Sequence, residues 1–195
     1  MIVVACLGDS ITEGSPGWDR VRGGDEASRW QHRAAQLLPG AEFRSCGIYG
    51  QRTDEIAARL DECAHGADVL IVQGGINDIA QGRSIDEAAT NLRRMIRRGK
   101  ESGARVLIAN VLPWNNGWPA RERAIRELNA RVEELAAAEA VPVIDFHHAL
   151  EDPERPGRMR DDWTSDGDHP SVTGYRILGE LVAAALGRVD LLASL

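Results

Sequence analysis

Two short segments, one near each end of the chain, carry the residue types that nucleophilic catalysis requires. Ser10 follows Gly8 and Asp9 at the end of an apolar run, and Asp166 precedes His169 by three residues. A carboxylate bound to the Nδ1–H of an imidazole leaves Nε2 free to take a proton from a serine hydroxyl. These residues therefore predict a serine nucleophile at Ser10, a general base at His169 and an orienting carboxylate at Asp166.

Each of these segments also has a purely structural interpretation. Ser10 could cap a helix, and residues 166–169 could be a polar loop that precedes one. Asp168 is a second carboxylate beside His169, but residues adjacent in the chain bring their side chains together less easily, which favours Asp166.

Two further segments could stabilise an oxyanion. Asn77, in Gly-Ile-Asn-Asp, could donate its side-chain N–H, and Gly50 could donate its backbone N–H. The structural alternatives are an Asx turn with a helix cap at Asn77 and an ordinary strand-to-helix turn at Gly50. Together the four segments supply a nucleophile, an oriented base and oxyanion donors, the three requirements of acyl transfer.

The elements that must position these residues alternate between apolar runs and helical patterns. Strands are predicted at 2–7, 41–46, 69–73, 105–110 and 141–145, and helices at 27–38, 53–64, 85–102, 121–140 and 171–186. This alternation predicts parallel βαβ units, and hence a single α/β domain over residues 1–195 with a five-stranded sheet and helices on both faces. Because ligands bind beyond the carboxyl ends of such strands, we expect the four segments to meet at one edge of the sheet.

Bulk properties narrow the choice of partners and location. A formal net charge of −7 disfavours binding to nucleic acid or to an anionic membrane. The apolar run at the start of the chain is too short for a signal peptide or a transmembrane segment, so a cytoplasmic location is expected. Three cysteines do not suggest a disulfide framework, and Cys6 and Cys46 are interpreted as small buried residues. Nothing in the sequence predicts an oligomeric state.

Taken together, the four segments resemble those of the SGNH, or GDSL, hydrolase family. Ser10 in GDSIT is similar to the nucleophile block, Gly50 to the glycine of the second block and Asn77 in GGIND to the asparagine of the third. Asp166 and His169 in DGDHPS resemble the D-x-x-H block. The resemblance implies a three-layer, flavodoxin-like fold with strand order 2-1-3-4-5. It also implies hydrolysis of carboxylic esters or thioesters without a metal or an organic cofactor.

The same resemblance assigns further roles. It implies that the backbone N–H of Ser10 joins Gly50 and Asn77 in an oxyanion hole, and that Asp9 is structural. Around Gly50 the chain departs from the family, since Tyr49 and Gln51 replace a small residue and an aspartate that many members have. These two side chains are expected to reshape the mouth of the cleft, which bears on the substrate.

The tryptophans give the only hint of a substrate. Trp114 and Trp118 flank two asparagines and a glycine in one loop, and Trp18 follows the nucleophile segment. Aromatic rings and amides can hold a sugar, although tryptophans also fill cores and brace loops. The expected substrate is a small ester, such as a carbohydrate that carries a short acyl (acetyl) group. A lysophospholipase or acyl-thioesterase, an acyltransferase with the same triad, and a non-catalytic binding module are the alternatives.

Overall fold

A parallel five-stranded sheet forms the centre of the fold. The fold is taken from a computed structural model, which describes residues 1–14 and 26–188. The strand order is β2-β1-β3-β4-β5, as the resemblance implied. The strands are β1 (Ile2–Gly8), β2 (Ala41–Gly47), β3 (Val69–Val72), β4 (Arg105–Ala109) and β5 (Val143–Ile144).

Helices follow the strands, and all five predicted helices are present. The described α-helices are α1 (Ser10–Glu13), α2 (Trp30–Leu37), α3 (Thr53–Ala58), α4 (Leu60–Ala64), α5 (Ile76–Ala80), α6 (Ile85–Glu101), α7 (Glu122–Glu139), α8 (Phe146–Leu150) and α9 (Val172–Arg188). The helix predicted over 53–64 is divided at Arg59, which forms the junction of α3 and α4. Helices α1, α5 and α8 were not predicted, because one or two turns carry no periodic pattern. In the described part of the chain, no helix has the length and apolar character that crossing a membrane requires.

The sheet is covered on both faces, which makes the fold three-layered. Successive residues of β1 face opposite layers: Val4 and Cys6 pack with α2, α8 and α9, whereas Ala5 and Leu7 pack with α3, α4, α6 and α7. Burial on both faces explains why β1, β3 and β4 read as continuous apolar runs. Trp30 belongs to this core, since its ring packs edge-on against Phe146 with centroids 6.1 Å apart.

The stretch 151–168, expected to be irregular, contains a small antiparallel hairpin. Its strands are β6 (Glu151–Asp152) and β7 (Arg155–Met159), and a 3₁₀ turn follows over Asp161–Trp163. The sequence did not reveal the hairpin because strands this short and polar lack an alternating pattern. Residues 164–169 form the loop that was expected to carry the base.

The expectation that Cys46 is an unpaired buried residue was wrong. Cys46 and Cys63 form a disulfide, with their Cα atoms 6.1 Å apart and their sequence positions separated by 17. The bond links the end of β2, at the edge of the sheet, to α4, which packs against it. Only this packing brings the two thiols together, so the cysteine count alone could not reveal it. Disulfides are typical of oxidising compartments, which argues against the expected cytoplasmic location. Cys6 is free and buried, as expected.

Candidate active site

Ser10 is held at the carboxyl end of β1, an interior strand of the sheet. Asp9 caps α1, since its Oδ1 accepts the N–H of Ile11 at 2.9 Å. Gly8 permits the sharp turn into the helix, because a Cβ there would lie 2.3 Å from the Oγ1 of Thr12. The Ser10 side chain is therefore fixed at the floor of a cleft, with only 5% of the residue exposed.

A continuous chain of hydrogen bonds joins the three residues predicted to form a triad. The Oγ of Ser10 lies 3.0 Å from the Nε2 of His169, and the Nδ1 of His169 lies 2.9 Å from the Oδ2 of Asp166. Oδ1 of Asp166 accepts two backbone N–H groups, from Asp168 at 2.9 Å and from His169 at 2.7 Å. Burial raises the pKa of Asp166, but these hydrogen bonds from His169 and Asp168 outweigh it and lower the pKa below its ordinary value. The carboxylate is thus charged and aimed at the imidazole.

Asp168 does not contact the imidazole of His169 through its side chain. Its Oδ1 accepts the indole N–H of Trp114 and the side-chain N–H of Asn116, the latter at 2.7 Å. The two carboxylates of this loop therefore have different partners, and Asp166 is the one in the orienting position.

The asparagines expected to contact a sugar instead brace the loop that carries His169. The backbone N–H groups of Asn115 and Asn116 donate to the carbonyl of Gly167 at 3.0 and 3.2 Å. The Asn116 amide also donates to the Asp166 carbonyl at 2.9 Å, and the Asn115 amide exchanges two hydrogen bonds with the backbone of Met159. The two asparagines thus hold the loop that carries His169, residues 164–169 (the base loop), against the loop that follows β4.

Three N–H groups are available around the cleft for a developing negative charge. Within residues 1–14 and 26–188, the backbone N–H groups of Ser10 and Gly50 have no acceptor. The Nδ2 of Asn77 donates one hydrogen to the carbonyl of Gln51 at 3.0 Å and has a second N–H to offer. All three donors line a cavity of about 300 Å³ that also contains His169. The three residues predicted to form an oxyanion hole therefore lie around one cavity.

A buried carboxylate fixes the segment that presents Asn77. Asp78 accepts the backbone N–H of Thr53 at 2.9 Å and the hydroxyl of Thr53 at 2.8 Å. Burial raises the pKa of Asp78, although the bonds from Thr53 oppose the rise. These contacts tie the start of α5 to the start of α3 and so orient the neighbouring Asn77.

The aromatic residues differ in their relation to the cleft. Tyr49 lies over His169 with ring centroids 6.1 Å apart and nearly parallel planes, and Trp114 lines the same cavity. Trp118 does not line it, contrary to expectation: it is 43% exposed and packs under the guanidinium of Arg158, 5.6 Å from the ring centroid. The turn at 115–116, held by its own amides, carries Trp118 away from the cleft. Trp18 lies outside the described residues.

The sequence analysis did not predict that α5 forms part of the wall of the cleft. Ile76, Ala80 and Gln81 line the cavity. The spacing of Ile76 and Ala80, four residues apart directly after Gly75, places both on one face of a helix and was the available signal. Among the described residues, no group of three or more histidine, cysteine, aspartate or glutamate side chains could hold a metal ion.

Comparisons with known proteins show a family match over most of the chain. The sequence profile of the GDSL-like Lipase/Acylhydrolase family matches residues 6–177. Among curated proteins, no sequence matches the chain significantly. A putative lipolytic protein of the G-D-S-L family from Desulfitobacterium hafniense has a similar fold, with a TM-score of 0.80 at 20% identity over 94% of this chain and 99% of that one.

Two other solved structures are similar to the same extent. A member of the lipolytic G-D-S-L family from Veillonella parvula has a TM-score of 0.80 at 22% identity, over 96% of this chain and 100% of that one. A mutant of an acetyl-xylooligosaccharide esterase from Geobacillus stearmophilus has a TM-score of 0.75 at 20% identity, over 95% of this chain and 94% of that one. At these identities the structural likeness establishes the fold alone.

Proposed function

Because the chain belongs to the GDSL-like lipase/acylhydrolase family, we propose that it is a serine esterase that hydrolyses small carboxylic esters through Ser10, His169 and Asp166. The observation that carries the proposal is the 3.0 Å contact between the Ser10 Oγ and the His169 Nε2, across 159 residues of sequence. Asp166 on the far side of the imidazole and free N–H donors on the near side complete what acyl transfer needs.

In the proposed acylation step, the Ser10 Oγ attacks the ester carbonyl carbon while the Nε2 of His169 takes the hydroxyl proton. The carbonyl oxygen becomes an oxyanion, which accepts hydrogen bonds from the backbone N–H groups of Ser10 and Gly50 and from the Asn77 amide. Asp166 stabilises the imidazolium through the Nδ1–H bond. When the tetrahedral intermediate collapses, the C–O bond breaks and His169 returns the proton to the leaving alcohol.

Deacylation repeats the chemistry with water as the nucleophile. His169 takes a proton from the water, which attacks the acyl-enzyme at the same carbon. The oxyanion forms again between the same three donors. The second collapse releases the carboxylic acid and returns the proton to Ser10, so the enzyme ends the cycle unchanged.

The size and charge of the cleft favour a short acyl group on an uncharged alcohol. At about 300 Å³ the cavity is at the lower end of ligand pockets, and its aliphatic lining is limited to Ile11, Ile76 and Ala80 beside the rings of Tyr49 and Trp114. Asp168 lines the cleft beside His169, where the leaving alcohol must lie, and its carboxylate repels phosphate-bearing alcohols. Acetyl esters of carbohydrates or other small neutral alcohols therefore fit better than lysophospholipids or acyl thioesters of phosphorylated carriers.

A panel of p-nitrophenyl esters of increasing acyl length, together with acetylated sugars, tests the proposal. We expect the highest kcat/KM with acetate, and loss of the activity in Ser10→Ala. Product analysis with an added alcohol distinguishes hydrolysis from acyl transfer. Activity that persists undiminished in Ser10→Ala, or a preference for long acyl chains, would contradict the corresponding part of the proposal.

A further inference from the structure

Arg59, at the junction of α3 and α4, makes three hydrogen bonds that converge beneath the cleft. Its Nε donates to the Oε1 of Gln51 at 2.9 Å, one Nη to the carbonyl of Cys46 at 2.9 Å and the other Nη to the carbonyl of Gly8 at 3.2 Å. The acceptors belong to the end of β2, the end of β1 and the loop that follows β2. Because a guanidinium is planar and its donors are fixed relative to one another, these three bonds fix the relative positions of the three segments.

Two of those segments, the end of β1 and the loop after β2, carry or contact the three donors of the proposed oxyanion hole. Gly8 lies two residues before Ser10, and Gln51 directly follows Gly50. The carbonyl of Gln51 also accepts the Nδ2 hydrogen of Asn77 at 3.0 Å. A single guanidinium is therefore linked to each of the three donors. Ser10 lies two residues after one of its acceptors, Gly50 directly precedes another, and Asn77 is one hydrogen bond away.

The charge of this arginine is not used in an ion pair. Within residues 1–14 and 26–188, no carboxylate lies within salt-bridge distance of Arg59, and the three hydrogen bonds go to uncharged oxygens. Burial lowers the pKa of Arg59, and the negative charge of Glu62 opposes that change. Partly burying a cation on neutral acceptors costs desolvation energy, so charge pairing does not explain why an arginine occupies this position.

We propose that Arg59 is a positioning residue for the oxyanion hole, holding the N–H donors of Ser10, Gly50 and Asn77 at the spacing that the oxyanion requires. The inference rests on the proposed function. The donors interact most strongly with the full negative charge of the transition state, so their displacement lowers kcat more than it raises KM. A displacement of about 1 Å at such a site costs about 10²-fold in rate.

The test compares Arg59→Met with a matched control, Arg44→Met. Arg44 also binds backbone carbonyls in this region, those of Cys63 at 3.1 Å and His65 at 2.7 Å, but it contacts none of the donor segments. The two variants remove the same charge and the same kind of hydrogen bond. Steady-state kinetics with p-nitrophenyl acetate give kcat and KM, and titration with an alkylboronic acid gives the affinity for a tetrahedral adduct on Ser10.

We expect Arg59→Met to lower kcat by about 10²-fold and to weaken boronate binding in parallel, with little change in KM. Arg59→Lys should recover part of the loss, since an ammonium reaches one or two of the three acceptors. Arg44→Met should keep the wild-type kcat and boronate affinity. A wild-type kcat and boronate affinity in Arg59→Met, or equal losses in both methionine variants, would overturn the positioning role.

A milder variant, Gln51→Leu, covers the case in which Arg59→Met does not fold, because it removes only one acceptor of the guanidinium. We expect its kcat and boronate affinity to fall while those of Arg44→Met stay at the wild-type values, and wild-type values in Gln51→Leu would overturn the inference. Boronate affinity needs no turnover, so it reports donor geometry separately. Turnover that survives in Ser10→Ala overturns the proposed function instead.

Discussion

The two sides of the cleft are held in place by different chemistry. The donor side, which follows β2 and β3, is fixed by charged groups: the guanidinium of Arg59 and the buried carboxylate of Asp78. The base side, residues 164–169, is fixed by backbone bonds to Asn115 and Asn116 and by the Asp168 carboxylate, which accepts the side-chain N–H groups of Trp114 and Asn116. A cation therefore helps to hold the donor side, whereas anions and neutral groups hold the base side.

This difference corresponds to what each side must do in the proposed reaction. Donors stabilise an oxyanion best when they are fixed beforehand, because they then need no reorganisation as the charge appears. The base side must instead accept a proton, which turns His169 into a cation beside Asp166. The carboxylates of Asp166 and Asp168, which help to hold the loop, are opposite in charge to that cation. We therefore expect substitutions on the base side to stop proton transfer. Substitutions on the donor side should reduce the stabilisation of the transition state and leave proton transfer intact.

The largest expected effect comes from the two carboxylates of the base loop. Asp166→Asn should lower kcat by about 10⁴-fold, because an amide no longer holds the imidazole in the required tautomer or stabilises the imidazolium. Asp168→Asn is the matched control: it keeps an oxygen that can accept the N–H of Trp114 and should leave kcat for a neutral ester nearly unchanged. Steady-state kinetics on p-nitrophenyl acetate measures both. Losses of equal size would mean that Asp166 has no special relation to His169.

On the donor side, Asn77→Ala should lower kcat by about 10²–10³-fold while Ser10 still reacts. The alanine removes one oxyanion donor but leaves the proton-transfer residues untouched. Asn91→Ala is a matched control outside the cleft, where the amide donates to the hydroxyl of Thr53 at 3.1 Å. It should cost stability and leave kcat close to the wild-type value. A normal turnover in Asn77→Ala would remove this residue from the oxyanion hole.

Asp9 offers a pH-dependent test of the segment that carries the nucleophile. Burial raises its pKa from 3.8 to about 6, against the opposing hydrogen bond from Ile11, and its Oδ2 has no partner within the described residues. The folded protein therefore binds the proton more tightly than the unfolded chain. From this group alone, the free energy of unfolding falls as the pH rises from about 4 to about 6, by about 3 kcal/mol in total.

Asp9→Asn removes that titration and keeps an oxygen for the Ile11 cap. Chemical denaturation of both proteins at several pH values gives the comparison. The free energy of unfolding of the wild type, relative to that of the variant, should fall by about 3 kcal/mol across this interval and stay constant above it. Other carboxylates contribute equally to both proteins and cancel. Parallel pH profiles for the two proteins would show that folding does not raise the pKa of Asp9.

The sequence predicted the parts of the molecule that depend on local pattern. Strands β1, β3 and β4 are apolar runs because both faces of the sheet are buried there. The motif residues follow the ends of strands or lie in the last loop. Ser10, Asn77 and His169 each stand in a short motif whose chemistry is readable without knowledge of the fold. Since parallel strands place their carboxyl ends together, their convergence could be expected as well.

Contacts that arise only from packing could not be predicted in this way. The Cys46–Cys63 disulfide depends on how α4 packs against the edge strand. Arg59 occupies the same helical stripe as Ile56 and Cys63, three residues after the first and four before the second. A charged residue on a stripe that is otherwise apolar was a signal that it binds something inside the protein. The main-chain acceptors that Arg59 binds belong to β1 and β2. The helical pattern does not show which strands lie next to the helix.

The smallest expected effect separates backbone strain from function on the donor side. Gly50 and Gly66 both have positive φ, +75° and +68°, and a Cβ added at either would meet no atom within 4 Å. Gly50→Ala and Gly66→Ala should therefore destabilise the protein by a similar amount, about 1–2 kcal/mol, through backbone conformation alone. Chemical denaturation measures this loss.

Only Gly50 presents its N–H to the cleft, so only Gly50→Ala should also lower kcat, as its φ relaxes and turns the donor away. The effect should be smaller than that of Asn77→Ala, because two donors keep their places. Equal losses of stability, with kcat reduced in Gly50→Ala alone, would show that Gly50 is an oxyanion donor and that Gly66 is only a turn residue. If both variants kept the wild-type kcat at a similar cost in stability, Gly50 would be an ordinary left-handed turn residue, and the oxyanion would have to be held by Ser10 and Asn77.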